Sequence, residues 1–242
     1  MNITRATTVD AGSVYEATRV RMIATVRSLS DKQLRVYVPA APQWRVRDLL
    51  AHVVGLAADL NAQRFPAADD TGGAGWGAAQ VAARNEAQID TLLTEWDLEA
   101  PGFEEGLRLF GYEEGSHFVA DLHAHHQDIR GALGLERDDD PLTVAVSLDH
   151  YLGFLHLLLC EAEWGVLAVH AGSEVRVLGT EAGAYRAQVA GAAFEVLRAF
   201  SARRSAAQIR RLRWRGDIDN LLGLMATGFT GGYSIPVDDL VE

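Results

Sequence analysis

Ala41-Pro-Gln-Trp-Arg-Val-Arg-Asp-Leu-Leu-Ala-His-Val-Val-Gly55 is the stretch on which the fold reading turns. Pro39 and Pro42 mark a loop before it. From Trp44 to about Arg64 the apolar residues Val46, Leu49, Leu50, Val53, Ala57 and Leu60 then recur at intervals of three and four, which is helical spacing. Phe65-Pro66 stops the helix. His52 is therefore one imidazole on an otherwise apolar helix face. Such a histidine is ordinarily a hydrogen-bonded core residue; the other reading is a metal ligand, and the local spacing leaves both open.

The same period extends outward in both directions. Tyr15, Met22, Val26 and Leu29 predict a helix over about 14–29, and further helices follow over roughly 76–96 and 116–133, the last ending at Gly134. Asp69-Asp70-Thr71-Gly72-Gly73 reads as a loop, and Leu98 to Gly106, with Pro101 and Gly102, as a connection. Asp138-Asp139-Asp140-Pro141 supplies the acids and the proline that favour a helix start, here a fifth helix to about His170. After Ala171-Gly172 the pattern changes. Glu174–Leu178 and Tyr185–Val189 alternate at period two and predict strands. Ala192–Phe200 reads as a helix, Ala206–Arg213 fits either state, Asp217–Met225 reads as a last helix and Thr227–Gly232 as a loop. The expectation is a mainly α protein: four main helices in a crossed bundle over residues 1–172, then a small α/β C-terminal domain over 173–242.

Composition narrows the function classes. Of 242 residues, 48% are hydrophobic, enough for a sizeable core. A net charge of −11 disfavours nucleic acid and anionic membranes as partners. The single cysteine, Cys160, excludes an intrachain disulfide framework and fits a reducing cytoplasm; its setting, Leu157-Leu-Leu-Cys160, reads as buried and inert. The first ten residues lack the apolar core of a signal peptide. The longest apolar run, Tyr151–Cys160, is shorter than the roughly 20 residues a bilayer requires. A soluble cytoplasmic protein is expected, with monomer and homodimer both compatible with the sequence.

A second constellation lies far along the chain. Asp121 and His125, four residues apart, share a helical face, and Asp128 follows three residues later, placed to hold the imidazole of His125 from behind. If His52 faces them, two imidazoles and a carboxylate surround one divalent cation and leave coordination positions open, the pattern of catalytic zinc. The alternative is a solvated ion pair. His117, His123 and His126 point elsewhere and read as surface or capping residues, His150 and His156 as packing residues, and the five tryptophans as packing anchors. Between Arg198 and Arg215 stand seven arginines with no acid among them. They read as a solvated basic face or as a clamp for carboxylates.

With both segments in view, Pro42–Gly55 resembles the first metal-ligand segment of the mycothiol-dependent maleylpyruvate isomerase family, within the DinB-like metal-binding bundle superfamily. Asp121-Leu-His-Ala-His125-His-Gln-Asp128-Ile-Arg-Gly-Ala-Leu-Gly134 resembles the second. The resemblance implies a DinB-like four-helix bundle and ligation of a divalent metal, zinc by preference, by His52, Asp121 and His125. It implies mycothiol as the reacting thiol and a small electrophile as its partner, in isomerisation or S-transfer. Two departures stand out. The family carries Glu where this chain has the shorter Asp121. Arg203 and Arg204 resemble the family's Gly-Arg turn and are the weaker candidates for ligand binding, with Ala202 where Gly is usual. A non-catalytic metal- or ligand-binding bundle with a regulatory or stress-related role is the alternative expectation.

Overall fold

The computed structural model describes residues 5, 8–70, 73–180, 183–228 and 235–240. The chain divides into two compact units between Asp138 and Asp139. The first unit opens with α1 (Ala11–Arg27) and a short α2 (Asp31–Leu34), followed by a two-stranded ribbon, β1 (Tyr37–Val38) and β2 (Ala41–Arg45). Then come α3 (Val46–Asn61), α4 (Ala74–Ala83), α5 (Ile89–Phe110) and α6 (Tyr112–Ala132). The long helices α1, α3, α5 and α6 pack on one another as a four-helix bundle. Asp10 begins α1 by accepting from the Gly12 N–H at 2.9 Å, and Asp48 begins α3 by accepting from the Arg45 N–H at 2.9 Å. The apolar stripe read on α3 is the buried one: Leu49, Leu50 and Val53 are at most 1% exposed. Each such side chain contributes about 1.5–3 kcal/mol relative to exposure.

Two expectations for this unit change. The helix read over 76–96 is broken between α4 and α5, where the carbonyls of Arg84 and Ala87 accept from Arg47 Nη2 at 3.3 and 2.9 Å. A tertiary donor thus satisfies the frayed backbone that would otherwise favour continuing the helix. Conversely, the connection read at 98–106 is helical. Pro101 lies inside α5, whose buried stripe Leu92, Leu93, Trp96, Ala100, Phe103 and Leu107 runs straight past it. Packing of that stripe outweighs the local break signal.

The second unit contains α7 (Pro141–Glu161), β3 (Val166–Ala171), β4 (Glu174–Gly179), β5 (Tyr185–Gly191), α8 (Ala193–Phe200), α9 (Ala206–Arg210), β6 (Arg213–Gly216) and α10 (Asp219–Gly228). Asp140 caps α7 by accepting from the Thr143 N–H at 2.9 Å, with Pro141 in the first turn. The sheet order is β4-β3-β5-β6, with β3 and β5 parallel and the outer pairs antiparallel. The register puts Leu167, Val169, Leu178, Ala187 and Val189, all nearly or fully buried, on one face of the sheet.

Sequence reading placed the boundary near residue 172 and ran the fifth helix to His170. Here α7 ends at Glu161, residues 166–171 form β3, and α7 belongs to the sheet unit, packed on β4 and α8. The ambiguous 206–213 segment is a short helix followed by a strand, and Thr227 and Gly228 close α10 rather than starting a loop. The remainder of the tail read as loop, 229–232, and Thr71-Gly72 lie outside the described residues. The apolar run is also longer than Tyr151–Cys160. All of α7 is long and apolar enough to span a bilayer by length and composition, but half of its most apolar window is buried within the protein, as in a core helix. Cys160 is half-exposed rather than buried, because Leu159 occupies the inward face one residue earlier. Its sulfur lies 3.7 Å from His156 Nε2.

Candidate metal centre

Helices α3 and α6 bring His52, Asp121 and His125 together, with one potential ligand atom from each within 4.8 Å of the others. Asp121 and His125, one turn apart on α6, hold Oδ1 and Nε2 3.4 Å apart. Two ligand atoms bound tetrahedrally to one zinc ion at about 2.1 Å would stand about 3.4 Å from each other. The pair therefore already has the required separation, and Asp121, although a methylene shorter than Glu, reaches the cluster. His52 comes from across the bundle, its ring 5.1 Å from that of His125 and nearly perpendicular to it at 87°. Trp44 on β2 covers the other side of His52 at 5.0 Å.

The electrostatics suit a cation. His125 is buried, and among the described residues neither of its ring nitrogens has a hydrogen-bond partner. Leaving such polar atoms unpaired costs about 1–3 kcal/mol, so the arrangement favours an occupant that accepts the lone pair of one of them. Burial, with His125 as neighbour, pushes the His52 imidazole down to about 4, so it is neutral and able to donate a lone pair at pH 7. Burial opposes ionisation of Asp121, but His125, His52 and His117 outweigh it and hold the carboxyl below its ordinary value. Asp128, with no side-chain exposure, places Oδ2 3.8 Å from His125 Nδ1, on the side away from Asp121. The Asp121 side chain is 26% exposed against 4% for His125, so the cluster is reached from the Asp121 side.

Several parts of this site were not legible as functional residues. Gln80 on α4, 2% exposed, makes a 2.8 Å hydrogen bond with His52 Nδ1, and its Nε2 donates to Asp59 Oδ2 at 3.0 Å. The available signal was Gly55, one turn beyond His52, and Gly77, one turn before Gln80: two bare positions where helices approach closely. His123 and His126 are buried rather than at the surface. The segment after α6 turns back, so that His123 Nε2 lies 3.1 Å from the Asp138 carbonyl and His126 Nδ1 3.1 Å from the Asp138 carboxylate. His126 Nε2 also meets Thr25 Oγ1 at 3.0 Å. His117 is exposed, as read.

A cavity of about 420 Å³ lies elsewhere in the helical unit, lined by Arg35, Arg45, Arg47 and neighbours but by none of the three cluster residues. Arg45 and Arg47 are already engaged by Asp48 and by backbone carbonyls. In the second unit the seven arginines do not share one face; they are spread over α8, α9, β6 and the turns between them. Arg203 and Arg204 are buried. Arg203 Nη1 donates to the Ser201 carbonyl and Arg204 Nη1 to the Arg203 carbonyl, both at 2.9 Å. Arg204 also pairs with Glu195 at 3.3 Å and lines a cavity of about 280 Å³ with Gln208, Arg211 and Leu212. Ala202 in this turn has φ +57°.

Residues 15–130 match the family model of the mycothiol maleylpyruvate isomerase N-terminal domain. The helical unit is similar to that domain. A crystal structure of a mycothiol-dependent maleylpyruvate isomerase, a histidine-to-alanine mutant, is similar to this chain with a TM-score of 0.53 and 11% identity. The match covers 80% of this chain and 88% of that one. At that identity the likeness speaks to the fold: a mainly α, DinB-like bundle followed by a small α/β part. Among curated proteins no sequence matches this chain.

Proposed function

We propose that the protein is a metal- and mycothiol-dependent enzyme, an isomerase or S-transferase acting on a small electrophile, with His52, Asp121 and His125 as the ligands of one divalent metal, zinc by preference. The observation that carries this reading is the buried His125, both ring nitrogens without a hydrogen-bond partner among the described residues, beside an ionised Asp121 and a neutral His52. A divalent metal held there supplies a Lewis acid that lets a thiol ionise near neutral pH. The chain's own groups supply two imidazole donors and one carboxylate donor, a second carboxylate behind His125 in Asp128, and an approach over Asp121. Cys160 has no part in this reading; the thiol comes from solution.

A thiolate adds reversibly to an activated C=C bond, and rotation followed by elimination gives cis–trans isomerisation; attack on an electrophilic carbon without return gives S-transfer. The family supports mycothiol as the thiol, and a cytoplasmic setting goes with it. For the carboxylate-binding role proposed for Arg203 and Arg204, the geometry favours Arg204, which lines a cavity, over Arg203, which holds its own turn. The shortened ligand Asp121 is the feature on the side of the second reading, a bundle that keeps a metal or small ligand without catalysis.

The test is elemental analysis of purified protein, joined to turnover of an electrophile panel including maleylpyruvate, with and without mycothiol. About one divalent metal per chain is expected, lost or much reduced in His52→Ala and His125→Ala, with conversion that requires the thiol. Metal-free protein overturns the site. Metal without thiol-dependent conversion favours the non-catalytic reading.

A further inference from the structure

Helices α3 and α4 touch at two glycines. A Cβ on Gly55 would lie 2.7 Å from Gln80 Cβ and 2.8 Å from Arg84 Nη1, and one on Gly77 would lie 3.3 Å from Trp44 and 3.4 Å from the His52 ring. Without this seam Gln80 could not reach the imidazole. The directions of the hydrogen bonds beyond it follow from one group. Asp59 is a carboxylate that receives Arg64 Nε at 2.9 Å on Oδ1, and it can only accept. The Gln80 side that faces Asp59 Oδ2, 3.0 Å away, is therefore its NH₂. Its Oε1 then faces His52 Nδ1 at 2.8 Å and also only accepts, so Nδ1 carries the proton. A neutral imidazole has one N–H, and Nε2 is left with its lone pair.

We propose that Gln80 is the positioning residue of the metal centre: through Arg64, Asp59 and Gln80 the fold locks His52 as the tautomer that donates from Nε2, and it does so with a neutral amide. This rests on the ligand set proposed above. The choice of amide has a chemical consequence. Histidine ligands are commonly backed by carboxylates, which raise their basicity and add negative charge. His125 has such a carboxylate near it in Asp128, and Asp121 is itself anionic. A further carboxylate against His52 would make the centre less electropositive and weaken its hold on an anionic sulfur. Gln80 orients His52 while leaving that charge out; the negative charge of the chain sits one residue further away, on Asp59.

Two variants separate orientation from charge. Gln80→Leu removes the acceptor. The double variant Asp59→Asn with Gln80→Glu keeps every hydrogen bond and the net charge, but moves the negative charge from Asp59 to the side chain touching His52. Metal affinity is measured by competition with a chromophoric chelator. Thiol affinity is measured at one pH on Co²⁺-loaded protein titrated with 2-mercaptoethanol, read from the sulfur-to-cobalt absorption. Gln80→Leu is expected to weaken metal binding about 10–100-fold. The double variant is expected to bind metal at least as tightly as the parent, yet to bind the thiol severalfold less tightly. That split is one a merely structural role for Gln80 would not produce, and it does not depend on Gln80→Leu folding well. Unchanged thiol affinity in the double variant overturns the proposal, as does unchanged metal affinity in folded Gln80→Leu. If the parent protein loses its metal on His52→Ala but is indifferent to both changes, this inference alone fails. A parent protein that binds no metal overturns the ligand set as well.

Discussion

Ala202 holds φ +57°, a left-handed conformation that costs a residue with a Cβ about 1–2 kcal/mol. Glycine removes that strain but gives back about 0.5–1 kcal/mol in chain entropy. Ala202→Gly is therefore expected to stabilise the sheet unit by up to about 1 kcal/mol, seen as a small rise in its thermal midpoint; a fall would show that the buried methyl contributes more than the strain costs. His126 offers a test with pH. Burial lowers its imidazole below the ordinary value despite the Asp138 carboxylate. Burial likewise opposes ionisation of Asp138, but His126 and Arg21 outweigh it and hold the carboxyl below its usual range. Both groups thus bind fewer protons folded than unfolded, so stability is complete at neutral pH and declines on acidification. The loss starts as pH falls below about 6.5 through His126, and continues below about 3.9 through Asp138. Urea unfolding of metal-free protein at pH 7.5, 6.5 and 5.5 should show the decline, and His126→Gln should make it shallower, leaving the part due to His52, whose imidazole burial also lowers. An equally steep decline in the variant would assign it to other groups.

At the scale of elements, Pro101 carries the clearest expectation. It lies exposed inside α5, where proline forgoes a backbone hydrogen bond and crowds the carbonyl four residues earlier. Pro101→Ala should stabilise the helical unit by about 1–3 kcal/mol, measured by denaturant unfolding; no gain would mean that α5 is bent to suit the proline. The same residue shows what the sequence could and could not convey. Local chemistry at Pro101 said break, whereas continuity depends on Trp96, Phe103 and Leu107 meeting other helices, which no window of sequence contains. The stripe on α3 and the Asp121/His125 spacing are properties of single helices and were readable as such. The break after α4 depends on Arg47 donating to Arg84 and Ala87, and Gln80 depends on two glycines from different helices. Neither is a pattern within one segment. For residues 166–171 the apolar run carried both periods, and its pairing with two strands decided the matter.

For the molecule as a whole, every residue proposed for the metal centre lies in one of the two units. His52, Asp121, His125, Asp128, Gln80 and Asp59 all lie before Asp139. A fragment ending at Asp138, which retains the Asp138 carboxylate that His126 and Arg21 share, is therefore expected to fold and to take up about one divalent metal per chain. A fragment that is folded but metal-free would show that the second unit contributes to the centre. Two of the three proposed donors sit a single turn apart on α6, whereas the third arrives from α3. A helical turn bearing Asp and His can grip a cation before the bundle forms, as a bidentate chelator within an otherwise denatured chain. Ions captured that way stabilise both states alike, and the gain in folding free energy on loading reflects mainly what the late-arriving imidazole adds.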